Sequence, residues 1–253
     1  MNNINSWNQF SQFYLKEAKI SNSTVHYGLC IAGEDQLKIL PNLKYVRLLD
    51  VGCGGGENCI ALEKKGALVT GIEPCYEFYT KAYNNNIKNP NIRIFNKSWN
   101  DNLLKLNELF QCVLFIGSSE YIELNFEFFN ILNAITTPDC FLLISRMHPM
   151  WTSLFDHETG PIKFKNYFSS REDNVTYGDA KINFSRNHYS LEELVKRFSQ
   201  NNWRLITIKE PKFEKKEDAP YYFEGCYEDT IFKKRLSLFP MTLIITFKRH
   251  GEI

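Results

Sequence analysis

The amino-acid sequence predicts an α/β fold: a doubly wound, mostly parallel seven-stranded sheet with helices on both faces. Three observations support this prediction. Short apolar runs alternate with helical patterns between residues 46 and 145, which is typical of βαβ units. One apolar run leads directly into the glycines of 52–56. An acidic residue, Glu73, follows the second apolar run, where the strand tips of a doubly wound sheet face a ligand crevice.

Each predicted element follows from the pattern of its own segment. The apolar runs are short and continuous, as expected for parallel strands that are buried on both faces. We predict strands at 46–51, 69–72, 92–95, 112–116, 140–145, 204–209 and 241–248, and helices at 58–65, 76–84, 126–136 and 191–202. Gly66 is placed to end the first of these helices, and Ser190 with Glu193 forms a capping box that opens the last.

The composition of the 253 residues excludes several classes of protein. Lys and Arg number 30 and Asp and Glu 29, so no broad basic surface for nucleic acid is expected. Seven scattered cysteines contain no CxxC pair, and five histidines show no metal-ligand spacing, so we expect reduced thiols and no metal. There is no signal-peptide pattern and no apolar run near the roughly 18 residues of a membrane span. We therefore expect a cytoplasmic monomer or homodimer with no nucleic-acid or membrane partner.

The glycine-rich turn and Glu73 together predict a nucleoside site. Glycines after a buried strand let a ligand approach bare backbone, and an acidic side chain at the next strand tip accepts ribose hydroxyl protons. In the run Gly52-Cys53-Gly54-Gly55-Gly56, however, Glu57 stands where a dinucleotide fingerprint has its third glycine. A carboxylate there would repel a pyrophosphate, and no phosphate-binding loop motif is present. A cationic nucleoside fits this pattern better.

These segments resemble the motifs of the class I S-adenosylmethionine-dependent methyltransferases. Residues 49–56 and 69–74 are similar to the first motif and the acidic second motif of that superfamily, 110–122 to its fourth-strand motif and 137–145 to the approach to its fifth strand. The resemblance covers residues 7–148 and departs at Gln111, Tyr121 and Asp139, where the family commonly has Asp, His and Gly. It implies a Rossmann-like methyltransferase fold with an antiparallel last strand and a helical or loop substrate cap.

The resemblance also implies a cofactor, S-adenosyl-L-methionine, and the residues that contact it. Glu73 would bind the ribose hydroxyls, Asp50 would lie near the methionine ammonium and Tyr14 would reach the cofactor carboxylate. The implied cofactor-binding residues are Tyr14, Tyr27, Asp50, Gly52, Cys53, Gly54, Glu73, Pro74, Ser98, Trp99, Phe115, Ile116 and Gly117. The helical face of Trp7, Phe10 and Tyr14 fits either a lid over this site or a helix packed on the core.

The chain is predicted to form one domain with four segments: N-terminal lid helices at 1–40, a cofactor-binding core at 41–145, a substrate-cap insertion at 146–189 and C-terminal helix and strands at 190–253. His148 follows the fifth strand and is the leading candidate for a general base, with a structural hydrogen-bonding role as the alternative. Tyr121 is a second catalytic candidate. Trp7, Trp151 and His188 are the candidate substrate contacts.

The function that follows is in-line methyl transfer to oxygen or nitrogen of a small-molecule acceptor. Phe, Tyr and Trp make up 15% of the chain, which suggests an aromatic or heterocyclic acceptor in an aromatic-lined cavity. Two alternatives remain. One is a binding protein of the same fold that regulates or catalyses without transferring methyl, since a fold does not fix a function. The other is a protein or tRNA methyltransferase.

Overall fold

The computed structural model describes residues 3–101, 103–155, 161–177 and 181–250. Parts of the predicted segments therefore lie outside the described residues, namely 1–2 of the lid, 102 of the core, 156–160 and 178–180 of the cap and 251–253 of the C-terminal segment. The helices are α1 Asn3–Glu17, α2 Glu34–Leu37, α3 Glu57–Lys64, α4 Tyr76–Asn86, α5 Phe126–Ala134, α6 Pro149–Leu154, α7 Leu191–Ser199, α8 Gly225–Glu228 and α9 Thr230–Leu238.

Seven strands form the central sheet, as predicted. The strands of the protein are β1 Lys19–Ile20, β2 Arg47–Val51, β3 Leu68–Ile72, β4 Ile92–Phe95, β5 Phe110–Ile116, β6 Thr136–Met147, β7 Arg171–Tyr177, β8 Ile182–His188, β9 Trp203–Lys209, β10 Tyr221–Tyr222 and β11 Thr242–Arg249. The order across the sheet is β4-β3-β2-β5-β6-β11-β9. Neighbouring strands are parallel except at β11, which is antiparallel to both β6 and β9. The predicted doubly wound sheet with an antiparallel last strand is confirmed.

The two faces of the sheet bury two separate apolar cores, because successive side chains of a strand point to opposite sides. In β5, Val113 and Phe115 belong to the core that α5 and α7 cover. Cys112 and Leu114 of the same strand belong to the core that α3 covers. This burial on both faces explains why the parallel strands have continuous apolar sequences rather than alternating ones.

The strand β6 begins earlier than predicted, because an irregularity near its start interrupts the apolar pattern of the sequence. The register between β5 and β6 shifts between Phe110 and Cys112, and Asp139 on the opposing strand has a positive φ of 66°. Asp is one of the few non-glycine residues that tolerate this conformation, which accounts for Asp at a position where the family resemblance leads one to expect Gly. The apolar pattern therefore starts only after the irregularity, at Cys140.

The predicted cap contains a helix and a hairpin that periodicity did not indicate. Helix α6 follows β6, and β7 pairs with β8 in antiparallel register. In β7 a charged residue, Asp173, occupies a buried position, where it forms ion pairs with Arg171 at 3.0 Å and Lys165 at 3.3 Å. Because the buried side chain is polar, β7 lacks the apolar alternation that predicts a strand.

Candidate functional site

Two adjoining cavities lie at the carboxyl ends of the parallel strands. The first cavity has a volume of about 750 Å³ and is lined by residues that follow β2, β3, β4 and β5. The second cavity has a volume of about 610 Å³, and its lining includes residues that follow β5 and the last residues of β6, together with parts of α1, α8 and α9. Their shared wall consists of Trp7, Tyr14, Tyr27, Gly28, Gly117, Tyr121 and Tyr221. A molecule in the first cavity therefore lies beside a molecule in the second.

The glycine turn after β2 is fixed to the tip of β3 through Glu73. The carboxylate of Glu73 accepts a hydrogen bond from the amide of Gly54 (2.9 Å) and another from the amide of Cys75 (2.8 Å). The side chain is buried and lines the first cavity. Burial raises the pKa of Glu73 to about 7, although both amide hydrogen bonds oppose this shift. Hydroxyl donors of a bound ligand would favour the ionised form.

Two glycines leave open space for a ligand. Gly54 and Gly117 have positive φ angles of 56° and 68°, and a Cβ atom built at either position would meet no atom within 4 Å. Gly52, with a φ of 72°, has no such space, because its Cβ would lie 2.7 Å from the Cβ of Ser118. The first cavity thus lies against bare backbone at Gly54 and Gly117, as a ligand that approaches the main chain requires.

The lining of the first cavity also includes a tryptophan, Trp99, whose indole N–H has no partner among the described residues. Trp99 is buried in the core, and its indole Nε1 has no hydrogen-bond partner among the described residues. Ser98, Pro74 and Ile116 line the same cavity. An aromatic heterocycle with ring-nitrogen acceptors suits such a wall. Together with Glu73 and the open glycines, this donor set fits a nucleoside cofactor.

Three residues of the implied cofactor set do not line either cavity. Asp50 is buried within β2, where its Oδ2 accepts a weak bond from Cys59 Sγ (3.6 Å), and burial raises its pKa to about 7. The Cys53 side chain is also buried and hydrogen-bonds with Cys59. Phe115 packs in the core, with its ring 5.0 Å from that of Trp99. Each of these side chains points into the core of the protein, while its backbone runs beside the first cavity. The three side chains therefore support the cavity wall and do not face the cavity.

Helix α1 lies over both cavities. Trp7 packs edge-on against Phe184 of β8 at 4.9 Å and against Tyr121 at 5.6 Å between ring centroids. Asn3 exchanges two hydrogen bonds with the backbone of Ser185, with distances of 2.8 and 2.9 Å. This helical face lines both cavities and also packs against Phe78 of α4 and Phe184 of β8, so its position is compatible with both roles that the sequence left open.

Two tyrosines of the shared wall have their hydroxyl groups engaged within the protein. Tyr14 donates to the hydroxyl of Tyr221 at 2.9 Å, and Tyr27 donates to Glu34 Oε2 at 2.6 Å. Burial raises the pKa of Tyr14, of Tyr27 and of Tyr221, the acceptor of the Tyr14 bond, and it is the largest cause of the shift in each. Tyr27 therefore presents its backbone and ring to the cleft. Tyr221 was missed by sequence reasoning, because it reaches the cleft only through the pairing of β10 with β1.

The second cavity combines aromatic walls with buried charges. Its lining includes Phe10, Phe184 and Phe223, and also Glu120 and Arg146, which are each 5% exposed. Apart from Phe10, which the sequence placed on the helical face of α1, these residues were not predicted as contacts. For Glu120 and Arg146 a signal existed, since Glu120 lies in the loop after β5 and Arg146 at the end of β6, both at the ligand edge of the sheet.

His148 occupies a structural position, as in the alternative that the sequence left open. Its Nδ1 accepts a hydrogen bond from the amide of Met150 (3.0 Å) and caps α6, and its Nε2 lies 2.7 Å from Glu210 Oε1. Burial lowers its pKa, against the effect of Glu210. Among the described residues it lines neither cavity. The geometry therefore gives no support to a general base at His148, since both ring nitrogens are engaged outside the cleft.

Two predicted substrate contacts also lie away from both cavities. Trp151 is buried against Phe155, with ring centroids 4.6 Å apart, in a core beneath the cap. His188 connects Thr152 Oγ1 (2.7 Å) to the backbone carbonyl of Tyr167 (3.0 Å). Both side chains join α6 to its surroundings. The third predicted contact, Trp7, lines both cavities.

The charge of Glu57 is compensated, which the sequence did not indicate. Lys81 Nζ lies 2.5 Å from Glu57 Oε1, so a cation neutralises this carboxylate. The glycine turn also packs closely on α4, because a Cβ at Gly56 would lie 3.1 Å from the Cβ of Ala82.

Two features are absent from the part of the chain that the structure describes. Within it, no three His, Cys, Asp or Glu side chains converge in a way that could hold a metal ion. Within the same residues, none of the helices has the length and apolar character needed to cross a membrane.

Comparison with known proteins identifies relatives of this fold. Residues 17–208 match a family model described as a methyltransferase domain. A protein of Listeria monocytogenes described as an S-adenosylmethionine-dependent methyltransferase is similar over 86% of this chain and 96% of its own, with a TM-score of 0.69 and 19% identity. One of Mesorhizobium loti covers 85% and 96%, with a TM-score of 0.62 and 16% identity.

A third similar structure has been solved with a partner. It comes from a complex between a methyltransferase and the Haloferax volcanii Trm112 methyltransferase activator, and the similarity covers 99% of this chain and 97% of that one, with a TM-score of 0.62 and 11% identity. At these identities the three structures show a shared fold. No curated protein sequence matches the chain.

Proposed function

This chain belongs to the methyltransferase-domain family, within the class I S-adenosylmethionine-dependent methyltransferases, and we propose that it methylates oxygen or nitrogen of a small aromatic or heterocyclic molecule. One observation carries the proposal. The first cavity, which fits a nucleoside cofactor, shares a wall with an aromatic-lined second cavity of a size suited to a small molecule. The methyl donor and the methyl acceptor would therefore meet at Gly117 and Tyr121.

The first cavity would hold S-adenosylmethionine. Glu73 would accept hydrogen bonds from the ribose hydroxyls, the backbone at Gly54 and Gly117 would lie against the methionine part, and Trp99 Nε1 would donate to the adenine. When bound, this cofactor supplies a methyl group on a positively charged sulfur. The aromatic rings of Trp7 and Tyr14 suit a cation, since a ring face attracts positive charge.

The protein contributes position and the exclusion of water. An in-line displacement requires the acceptor atom to be held against the methyl carbon, and a water-free site strengthens every polar contact within it. Helix α1 closes the cleft through Trp7, and Tyr121 forms part of the wall between the two cavities. We propose Tyr121 as the catalytic residue, whose hydroxyl orients the attacking atom. All seven cysteines are buried and none forms a disulfide, which also supports our placement of the protein in the cytoplasm.

The proposed function is tested with labelled cofactor. Purified protein is incubated with methyl-labelled S-adenosylmethionine and, in parallel, with the small-molecule and macromolecular fractions of a cell extract. We expect label in a small organic product, and none with the Glu73→Ala variant. Label in protein or tRNA would contradict the proposed acceptor class. Tight cofactor binding without label in any fraction would contradict methyl transfer altogether.

A further inference from the structure

Two side chains that line the second cavity carry three buried polar atoms without a partner among the described residues. Glu120 Oε2 and the Nε and Nη1 atoms of Arg146 are all buried, and none of them has a hydrogen-bond partner among the described residues. Both side chains line this cavity. A buried polar group that makes no hydrogen bond costs about 1–3 kcal/mol, and more when it is charged. Such groups are satisfied when a complementary ligand binds.

The backbone around Asn187 holds these two side chains beside each other. Arg146 Nη2 donates to the backbone carbonyl of Asn187, whose side-chain amide donates to the backbone carbonyl of Glu120 (3.3 Å). The Arg146 guanidinium also lies 5.6 Å from the centre of the Tyr189 ring. Burial lowers the pKa of Arg146, while the nearby Glu120 charge opposes this change. The arginine is therefore held in place through Nη2, while the three N–H groups on its Nε and Nη1 have no partner among the described residues.

The unpartnered atoms specify the polar edge of a ligand. One carboxylate oxygen requires a donor, and the three N–H groups on Nε and Nη1 of the guanidinium require acceptors. A lactam edge presents both kinds of group side by side, because its N–H is a donor and its neighbouring carbonyl oxygen is an acceptor for the guanidinium. An ammonium group would bring three donors for the Glu120 oxygen, and a carboxylate would place a second negative charge beside Glu120.

We propose that the acceptor is a planar lactam-containing heterocycle whose N–H donates to Glu120 and whose carbonyl oxygen accepts from Arg146. This inference rests on the proposed function and names its substrate class. The rings of Phe10 and Phe184, with centroids 5.9 Å apart, give the flat part of such a molecule an apolar wall. Tyr121, the neighbour of Glu120 in the chain, lines both cavities and places this edge next to the site of transfer.

The proposal is tested by binding of matched bicyclic probes in the presence of S-adenosylhomocysteine. We expect 2-quinolone to bind at least about tenfold more tightly than 1-methyl-2-quinolone, which lacks the N–H, and than quinoline, which lacks both the N–H and the carbonyl. Tighter binding of 2-naphthoate or of tryptophan than of 2-quinolone would overturn the proposal. Equal binding of 2-quinolone and its N-methyl form would do so as well.

Variants locate the preference in the two side chains. Glu120→Leu should abolish the preference for 2-quinolone over 1-methyl-2-quinolone, which reports on the N–H. Arg146→Met should abolish the preference for the carbonyl, measured as tighter binding of 1-methyl-2-quinolone than of quinoline. Glu192→Gln removes an exposed carboxylate on α7 and serves as the control that keeps both preferences. Because a buried substitution can unfold a protein, binding of S-adenosylhomocysteine is measured for every variant, and Arg146→Lys, which retains the charge, is included.

A wrong acceptor class and a wrong cofactor give different results in this experiment. If S-adenosylhomocysteine does not bind, the proposed cofactor is wrong, and the probes are then compared without it. If it binds but the probes show no preference for a lactam edge, the acceptor class is wrong and methyl transfer is unaffected.

Discussion

The carboxylate of Glu73 accepts a hydrogen bond from the backbone amide of Gly54, with 2.9 Å between oxygen and nitrogen. This bond joins the tip of β3 to the glycine turn that follows β2. It fixes one oxygen of the carboxylate on the protein, while Cys75 binds the other at 2.8 Å. The remaining lone pairs of a buried, well-positioned carboxylate are what a pair of ribose hydroxyls would bind.

Glu73→Gln should weaken binding of S-adenosylhomocysteine by about tenfold to a hundredfold. The reason is that hydrogen bonds to a charged acceptor contribute about 1.5–3 kcal/mol. Titration calorimetry measures the change. Glu77→Gln, at an exposed position in the first turn of α4, is the control and should bind like the unaltered protein. Unchanged affinity in Glu73→Gln would remove Glu73 from the cofactor site.

Cofactor affinity should fall as the pH is lowered below about 7. The pKa of Glu73 is raised to about 7 in the free protein, and the ionised form is the better acceptor for ligand hydroxyls. Below this pKa the ionised fraction decreases about tenfold per pH unit, and affinity should follow. Calorimetry at pH 6 and pH 8 provides the measurement, and Glu73→Gln should show no such dependence. Equal affinity of the unaltered protein at both values would refute the assignment.

Without cofactor, Asp50 and Glu73 should contribute more to stability at pH 5.5 than at pH 8. Burial raises the pKa of Asp50 from 3.8 and that of Glu73 from 4.5 to about 7, so the folded state binds protons more tightly than the unfolded state. The stability that the neutral carboxyls provide is complete below about pH 4 and is lost as the pH rises through 7.

Asp50→Asn tests this origin. The substitution keeps a neutral side chain at every pH, so it should reduce the loss of stability at pH 8 by on the order of a few kcal/mol. Urea unfolding at the two pH values gives the comparison. Asp218→Asn changes an exposed aspartate and should leave the pH dependence intact. A pH dependence that Asp50→Asn does not alter would contradict the role of Asp50.

Gly117→Ala should weaken the binding of both cofactor and acceptor. The new methyl group would enter open space in the wall that the cavities share, and the positive φ of 68° would strain the backbone by about 1 kcal/mol. Gly66→Ala is the matched control, since its φ is 93° but its Cβ would meet Lys44, outside both cavities. Calorimetry and thermal unfolding should show lower stability in both variants and weaker binding only in Gly117→Ala.

His148→Ala should lower stability by about 1 kcal/mol and preserve methyl transfer. The substitution removes the cap of α6 and the contact with Glu210, whereas His148→Asn retains a capping side chain and should cost less. A folded His148→Asn protein that binds cofactor but transfers no methyl would restore His148 as a general base.

Tyr121→Phe, by contrast, should slow methyl transfer without weakening cofactor binding.

The sequence by itself determined the features that depend on neighbouring residues along the chain. The order of the seven sheet strands and of α3, α4, α5 and α7, the positive φ angles in the glycine turn and the position of Glu73 at a strand tip follow from local patterns. They could be predicted because the carboxyl ends of parallel strands meet at one edge of the sheet whatever the loops do. For the same reason Gly54, Ile116 and Gly117 all line the first cavity.

Only the tertiary structure decided which side chains of the loops and strand ends face the cleft. His148 and Arg146 are two residues apart at the end of β6, yet Arg146 lines the second cavity while His148 caps a helix and contacts Glu210. Tyr221 enters the site from a distant segment through the pairing of β10 with β1. These outcomes depend on how separate elements pack together, and spacing along the sequence contains no record of that packing.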